Sequence, residues 1–188
     1  MRIRRTVIVA AYALAVVTGC SNSPSPPPPS PGPQAGVTQR DLCNSLMAFF
    51  SGELRAVDLR SVAFLAADTI ISPSGSCTIT NSQSQRSNGQ FEIHHESSAN
   101  NPAGNLQQFF QETTEMGEKV WVWDSRADPR FETPILRFAT RVGEWNSQLE
   151  IEENTTQTAS GALHLTDENK HKAAQFLLEL TKKIVDAQ

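Results

Sequence analysis

The sequence predicts an α+β domain: an antiparallel sheet of about five strands, flanked by an N-terminal helix, a middle helix and a long C-terminal helix. Three observations carry that expectation. Near the end of the chain, Ala173, Phe176, Leu177, Leu180 and Ile184 form one helical apolar stripe. Residues 135 to 152 alternate apolar and polar positions around Gly143-Glu144, which is a hairpin signature. Residues 37 to 188 have the length of one domain, with no second linker and no internal repeat.

The elements follow in order. Thr38 can N-cap the first helix, whose apolar stripe is Leu42, Leu46, Phe49 and Phe50. Residues 53 to 71 are ambiguous, with helix formers early and β-branched Thr69-Ile70-Ile71 late. Pro73-Ser74-Gly75 is a turn. Cys77 to Thr80 and Phe91 to His94 read as strands of a hairpin joined by the polar stretch 81 to 90. Pro102 to Met116 reads as the middle helix, with Leu106, Phe109, Phe110 and Met116 inward and Gly117 past its end. Val120-Trp121-Val122-Trp123 is a strand, followed by the hairpin Ile135 to Val142 and Trp145 to Glu152. Thr166 caps the last helix, Asp167 and Glu168 occupy its first turn, and Lys182-Lys183 lie near its end, as the helix dipole favours. Such a helix is stable only if its stripe packs on something, and an antiparallel sheet is the natural partner.

The N-terminus states an address. Arg2, Arg4 and Arg5 precede an uncharged apolar run from Thr6 to Val17. A membrane-spanning helix needs about 20 apolar residues, so this shorter run reads as the core of a secretory signal. Arg4-Arg5 leaves the export route open between the general and twin-arginine systems. The run ends in Val17-Thr18-Gly19-Cys20. That ending resembles the bacterial lipobox, which implies cleavage after residue 19 and a diacylglyceryl group on Cys20. Two acyl chains give stable anchoring where one gives only marginal binding. The expected organisation is a leader over 1–19, a lipidated Cys20 with a tether over 20–36, and one extracytoplasmic domain over 37–188.

The tether reads SNSPSPPPPSPGPQAG and has no aliphatic core former. Polyproline II geometry at about 3.1 Å per residue would let it span up to about 50 Å. The leader removes three of the 16 basic residues and none of the 20 acidic ones, leaving the rest of the chain at −7. An acidic domain is a poor match for nucleic acid or anionic lipid head groups, and no nucleic-acid partner is expected.

Cys43 and Cys77 are the remaining cysteines. A pair in an exported domain is expected to be a disulfide, stapling the first helix to the first strand. Two Cys without a nearby His do not build a four-ligand zinc site, and an oxidising compartment would pair a nucleophilic thiol.

The lipobox, the Pro/Ser-rich tether, Leu42-Cys43-Asn44-Ser45-Leu46, Ser76-Cys77-Thr78-Ile79, Gly89-Gln90-Phe91-Glu92-Ile93 and the terminal Ala173-Ala174 occur in this order. The whole resembles small cell-envelope lipoproteins of mycobacteria and other actinobacteria, nearest the family called domain of unknown function 3558. The resemblance maps that family's early and first-strand cysteines onto Cys43 and Cys77. The later second Cys pair is missing, and Thr78 stands where a tryptophan is usual. The resemblance implies architecture and address, not chemistry.

Catalytic motifs are not evident, and no catalytic residue, metal or cofactor is expected. There is no Gly-x-Ser-x-Gly elbow, Ser74 lies in a turn, and no phosphate-cradling Gly loop exists. His94 and His95 are adjacent on a strand and point to opposite faces. His171 falls on the exposed side of the last helix. Glu112, Glu115 and Glu118 have the spacing of an exposed helix face, and Glu152-Glu153 read as solvated charge at a strand end. Trp121, Trp123 and Trp145 have two readings: core aromatics, or the wall of a cleft for an apolar or glycan ligand. The function expected is a membrane-anchored, non-enzymatic binding or accessory module that contacts an envelope protein or ligand. The alternatives are a carrier with an internal apolar pocket, and a hydrolase whose site assembles only in three dimensions.

Overall fold

Thr38 opens the first helix with a capping box. Its hydroxyl accepts from the Asp41 amide at 3.2 Å, and the Asp41 carboxylate accepts from the Thr38 amide at 3.0 Å. The helix that follows, α1 (Gln39–Gly52), buries Leu42, Cys43, Leu46, Phe49 and Phe50. These observations come from a computed structural model, which describes residues 36–96, 102, 108–128, 130 and 134–188. The leader, Cys20, the tether as far as residue 35, and Leu106 lie outside the described residues.

The strands are β1 (Leu59–Ala63), β2 (Ser74–Asn81), β3 (Ser87–His95), β4 (Gln111–Glu115), β5 (Glu118–Asp124), β6 (Ile135–Val142) and β7 (Trp145–Glu152). They form one seven-stranded antiparallel sheet in the order β1-β2-β3-β7-β6-β5-β4. A small ribbon pairs β8 (Gln157–Thr158) with β9 (Gly161–Ala162). The chain ends in α2 (Asp167–Asp186), capped by Thr166 through a second capping box with Asn169.

Directly opposed residues of antiparallel strands share a face. One rung reads Cys77, Phe91, Leu149, Phe138 and Val122. This is the face that the helices cover. α1 packs over β1 and β2, where Cys43 and Cys77 form a disulfide with Cα atoms 5.4 Å apart. α2 packs over β6 and β7, where the Thr181 and Ser147 hydroxyls meet at 2.5 Å. Phe50, Phe91, Phe138, Leu42, Leu46 and Leu149 are among the fully buried side chains between them. Burying each such side chain contributes about 1.5–3 kcal/mol. The Phe49 and Phe176 rings stack at 4.3 Å where the two helices meet.

The α+β class and the 135–152 hairpin match the expectation from sequence, but the element count does not. Among the described residues, the sheet has seven strands rather than five, and there are two α-helices rather than three. Residues 111–115, expected as the second half of the middle helix, are strand β4. The reason is local. Gln111-Glu112-Thr113-Thr114-Glu115 has no apolar helical stripe and carries two β-branched residues. Met116 and Gly117 both take positive φ, 48° and 81°, as a type I′ hairpin turn requires. That turn folds Glu115 directly opposite Glu118. Glu112, Glu115 and Glu118 therefore share no helix. They pair with Lys119 at 2.9 Å, His171 at 2.7 Å and Lys182 at 3.2 Å. The ambiguous stretch 53–71 supplies β1.

Glu153 also departs from expectation. It is 2% exposed, not solvated. Its carboxylate accepts from the Leu165 amide at 2.5 Å and lies 3.5 Å from Arg126 Nη1, which donates to the Leu165 carbonyl at 3.0 Å. The pair fastens the segment entering α2 to the end of the sheet.

Candidate functional site

The sheet face away from the helices is polar, and strand register assembles it. One rung across it reads Thr78, Gln90, Glu150, Arg137 and Trp123. The next reads Ser76, Glu92, Gln148, Ala139, Trp121 and Glu112. A third reads Ser74, His94, Asn146 and Arg141. A cleft of about 290 Å³ lies over the first two, lined by Gln90, Glu92, Arg137, Gln148, Leu149 and Glu150. A second cleft of about 220 Å³ shares Glu92 and continues towards Phe64, Leu65, Ser76 and His94.

These side chains hold one another in place. Arg137 Nε donates to Glu150 Oε2, and the guanidinium lies 5.2 Å from the Trp123 ring centroid. Gln90 Nε2 donates to Glu92 Oε1. Gln148 Nε2 donates to the Pro102 carbonyl at 2.7 Å. Asn146 Nδ2 donates to Glu96 Oε2 at 3.0 Å, and Arg141 donates to Asn146 Oδ1 at 3.0 Å and to the Glu96 carbonyl at 2.9 Å. Guanidinium groups donate and amide groups both donate and accept, so the cleft is bordered by groups of the kind that bond hydroxyls and amides. Glu152 continues the same face, and burial raises its carboxyl above the ordinary range, with Glu150 adding to the rise. The arrangement suits a ligand rich in hydroxyls or amides.

The three tryptophans do not line one cleft. Trp121 and Trp123 share the polar face, as their spacing predicts. Trp123 is 7% exposed, stacked by Phe109 at 5.1 Å and approached by Phe110 at 6.1 Å. Phe109 and Phe110, expected inside a middle helix, serve here as partners for Trp123. Trp145 stands on the opposite, helix-covered face, in the core and edge-on to His95 at 5.3 Å.

The histidines are dispersed. His94 Nε2 is 3.6 Å from Glu96, and His95 Nε2, on the other face, is 3.0 Å from Glu144. His171 joins Glu115, and His164 borders a cleft beside the α2 N-terminus. Among the described residues, no group of three or more His, Cys, Asp or Glu is placed to hold a metal. Ser74 stands opposite His94 in register, but no hydrogen bond joins their side chains among the described residues.

At the far end of β5, Arg126 grips Asp124 through two nitrogens, with Lys170 at 3.2 Å. The Arg126 hydrogen bonds hold the Asp124 carboxyl down at about 2.

Sequence reasoning did not single out Gln90, Glu92, Arg137, Gln148 or Glu150. The polar positions of the predicted strands were visible, but their adjacency depends on the pairing of β3 with β7 and β7 with β6. Comparison with family models, with curated proteins and with solved structures returns no match. The resemblance to domain of unknown function 3558 therefore rests on the quoted residues alone.

Proposed function

We propose that this chain is a lipid-anchored, non-enzymatic binding module of the cell envelope, which meets a polar, glycan-like ligand with the sheet face opposite its helices. The observation that carries this reading is the fixed grid of Gln90, Glu92, Arg137, Gln148 and Glu150 around a cleft of about 290 Å³. Planar amide, carboxylate and guanidinium groups match sugar hydroxyls, and they disfavour an acyl chain. A carrier of an apolar molecule would need a concave apolar cavity of about 300–1,000 Å³. The space between helices and sheet is instead filled by side chains such as Phe50, Phe91 and Phe138. Among the described residues, no helix is long and apolar enough to cross a membrane. Attachment through Cys20 is part of the proposal, as is kinship with the actinobacterial lipoproteins, and both draw on the sequence.

Titration of cell-wall glycan fragments, followed by Trp fluorescence, tests the binding face, because Trp123 lies beside Arg137. The expected result is a saturable change in emission that Arg137→Ala abolishes. No change across the panel, or the same change in Arg137→Ala, refutes the reading. For the anchor, Cys20→Ala is expected to move the protein out of the membrane fraction. Retention there removes that part of the proposal.

A further inference from the structure

β1 and β4 are the two edges of the sheet, and they are guarded differently. β4 carries Glu112 and Glu115, both ion-paired. β1 reads Leu-Arg-Ser-Val-Ala, with Arg60 as its one charge, no Pro and no register shift against β2. Four of its five residues are exposed. Val62 is 46% exposed, and Phe64, just past the strand, is 87% exposed. Val62 lies on the polar sheet face, opposite Thr78, and Phe64 borders Ser76 and Glu92 on the same side. An edge strand offers a row of unpaired backbone N–H and C=O groups, which folded proteins ordinarily blunt with charge, Pro or a bulge.

We propose that β1 pairs antiparallel with β1 of a second copy of this chain, with Val62 on the two-fold axis. The side chains select both partner and register. With Val62 opposite Val62, Arg60 falls opposite Phe64 of the second copy, and the symmetric pair repeats the contact. Each guanidinium then meets an exposed aromatic ring, which is a favourable cation–π arrangement. On the other face, Ser61 meets Ala63. Centring the pair on Ser61 instead sets the two Arg60 charges diagonally adjacent and puts Phe64 opposite Asp58. Centring on Ala63 leaves Arg60 against Ala66. One sequence supplies both halves of the match, and an isologous contact of this kind closes as a dimer. Arg60 and Val62 do not line the cleft around Arg137, although Phe64 borders the second cleft that shares Glu92 with it, so the cysteine bridging at 62 and the fluorescence response of Arg137→Ala are read separately.

Single cysteines in the exported full-length chain test this. Directly opposed residues of an antiparallel pair have Cα atoms about 4.5–5.5 Å apart, within the range of a disulfide. Val62→Cys is expected to give a covalent dimer on non-reducing gels, and Ser61→Cys and Ala63→Cys little or none. Adding Arg60→Glu to Val62→Cys should abolish the dimer band. The unsubstituted chain in detergent should sediment as a dimer, which covers the case of a cysteine variant that misfolds. The proposal is overturned by a monomeric unsubstituted chain, or by stronger bridging at 61 or 63 than at 62. It is also overturned by equal bridging from Thr114→Cys on β4, or by bridging of Val62→Cys to a different protein.

Discussion

Replacing Gly89 with Ala probes how α1 sits on the sheet. Gly89 lies on β3 opposite Ile151, beneath the ring of Phe50. A Cβ built there stands 2.5 Å from Phe50 Cζ and well inside contact distance of the Glu150 carbonyl oxygen. Carbon atoms pack at about 3.5–4.0 Å, so the ring would have to retreat by about 1 Å. The ring is fully buried and edge-on to Phe49 at 5.8 Å, and the carbonyl belongs to the central strand β7. Neither yields freely. Overpacking costs about 1–3 kcal/mol, and a double clash against ring and backbone belongs near 3. For a domain of this size, that lowers the Tm by about 6–12 °C. The sign is informative. Without a clash, Ala in place of a mid-strand Gly gains about 0.5–1 kcal/mol. Thermal unfolding followed by circular dichroism makes the measurement. A Tm that is unchanged or raised would mean spare room between helix and sheet, and it would restore the carrier reading that this packing disfavours.

Three further outcomes are expected. Cys43→Ala with Cys77→Ala opens a loop with a sequence separation of 34 residues. The chain-entropy estimate for that loop is roughly 4 kcal/mol, so the urea midpoint should fall sharply, and an unchanged midpoint would count against a stabilising disulfide. Asp124 titrates at about 2 in the folded chain, against 3.8 without its partners. Its contribution is thus complete above about pH 4 and lost as pH falls through about 2, and solvent screening reduces it to about 1 kcal/mol. The stability gap between the unsubstituted chain and Asp124→Asn should close over that window, and a gap constant with pH refutes the assignment. Thr166→Ala removes the α2 cap and should cost about 1 kcal/mol by urea titration, whereas no loss would show the capping box to be idle.

The legible parts of the fold were those with local causes. Both N-caps could be read from sequence, because Thr38 and Thr166 each precede an apolar helical stripe. The hairpin Ile135–Val142 to Trp145–Glu152 was legible in full, since alternation and a Gly turn are short-range signals. Residues 102–116 misled because Phe109 and Phe110 suggest a helical stripe that Gln111–Glu115 does not continue. The decisive signal was Met116-Gly117, a two-residue turn, read instead as a helix end. Glu153 was illegible because its partners, Arg126 and the Leu165 amide, come from separate loops. The polar cleft was half legible: alternation places Gln148 and Glu150 on one face, but only register sets them beside Arg137, Gln90 and Glu92.

The two faces of the sheet separate stability from recognition, and Arg137→Ala tests the separation. Its contacts are an ion pair with Glu150, in which both side chains are about a quarter exposed, and the edge of the cleft beside Trp123. A partly exposed pair of this kind contributes about 1 kcal/mol or less. The Tm of Arg137→Ala should therefore fall by no more than about 2–4 °C, while the fluorescence response to glycan fragments disappears. Leu46→Ala should do the reverse, because Leu46 is fully buried on α1 against the helix-covered face and does not line the cleft. It should lose stability and, below its Tm, keep the response. If both substitutions reduce binding and stability in proportion, the polar face is structural, and the ligand site lies elsewhere on the domain.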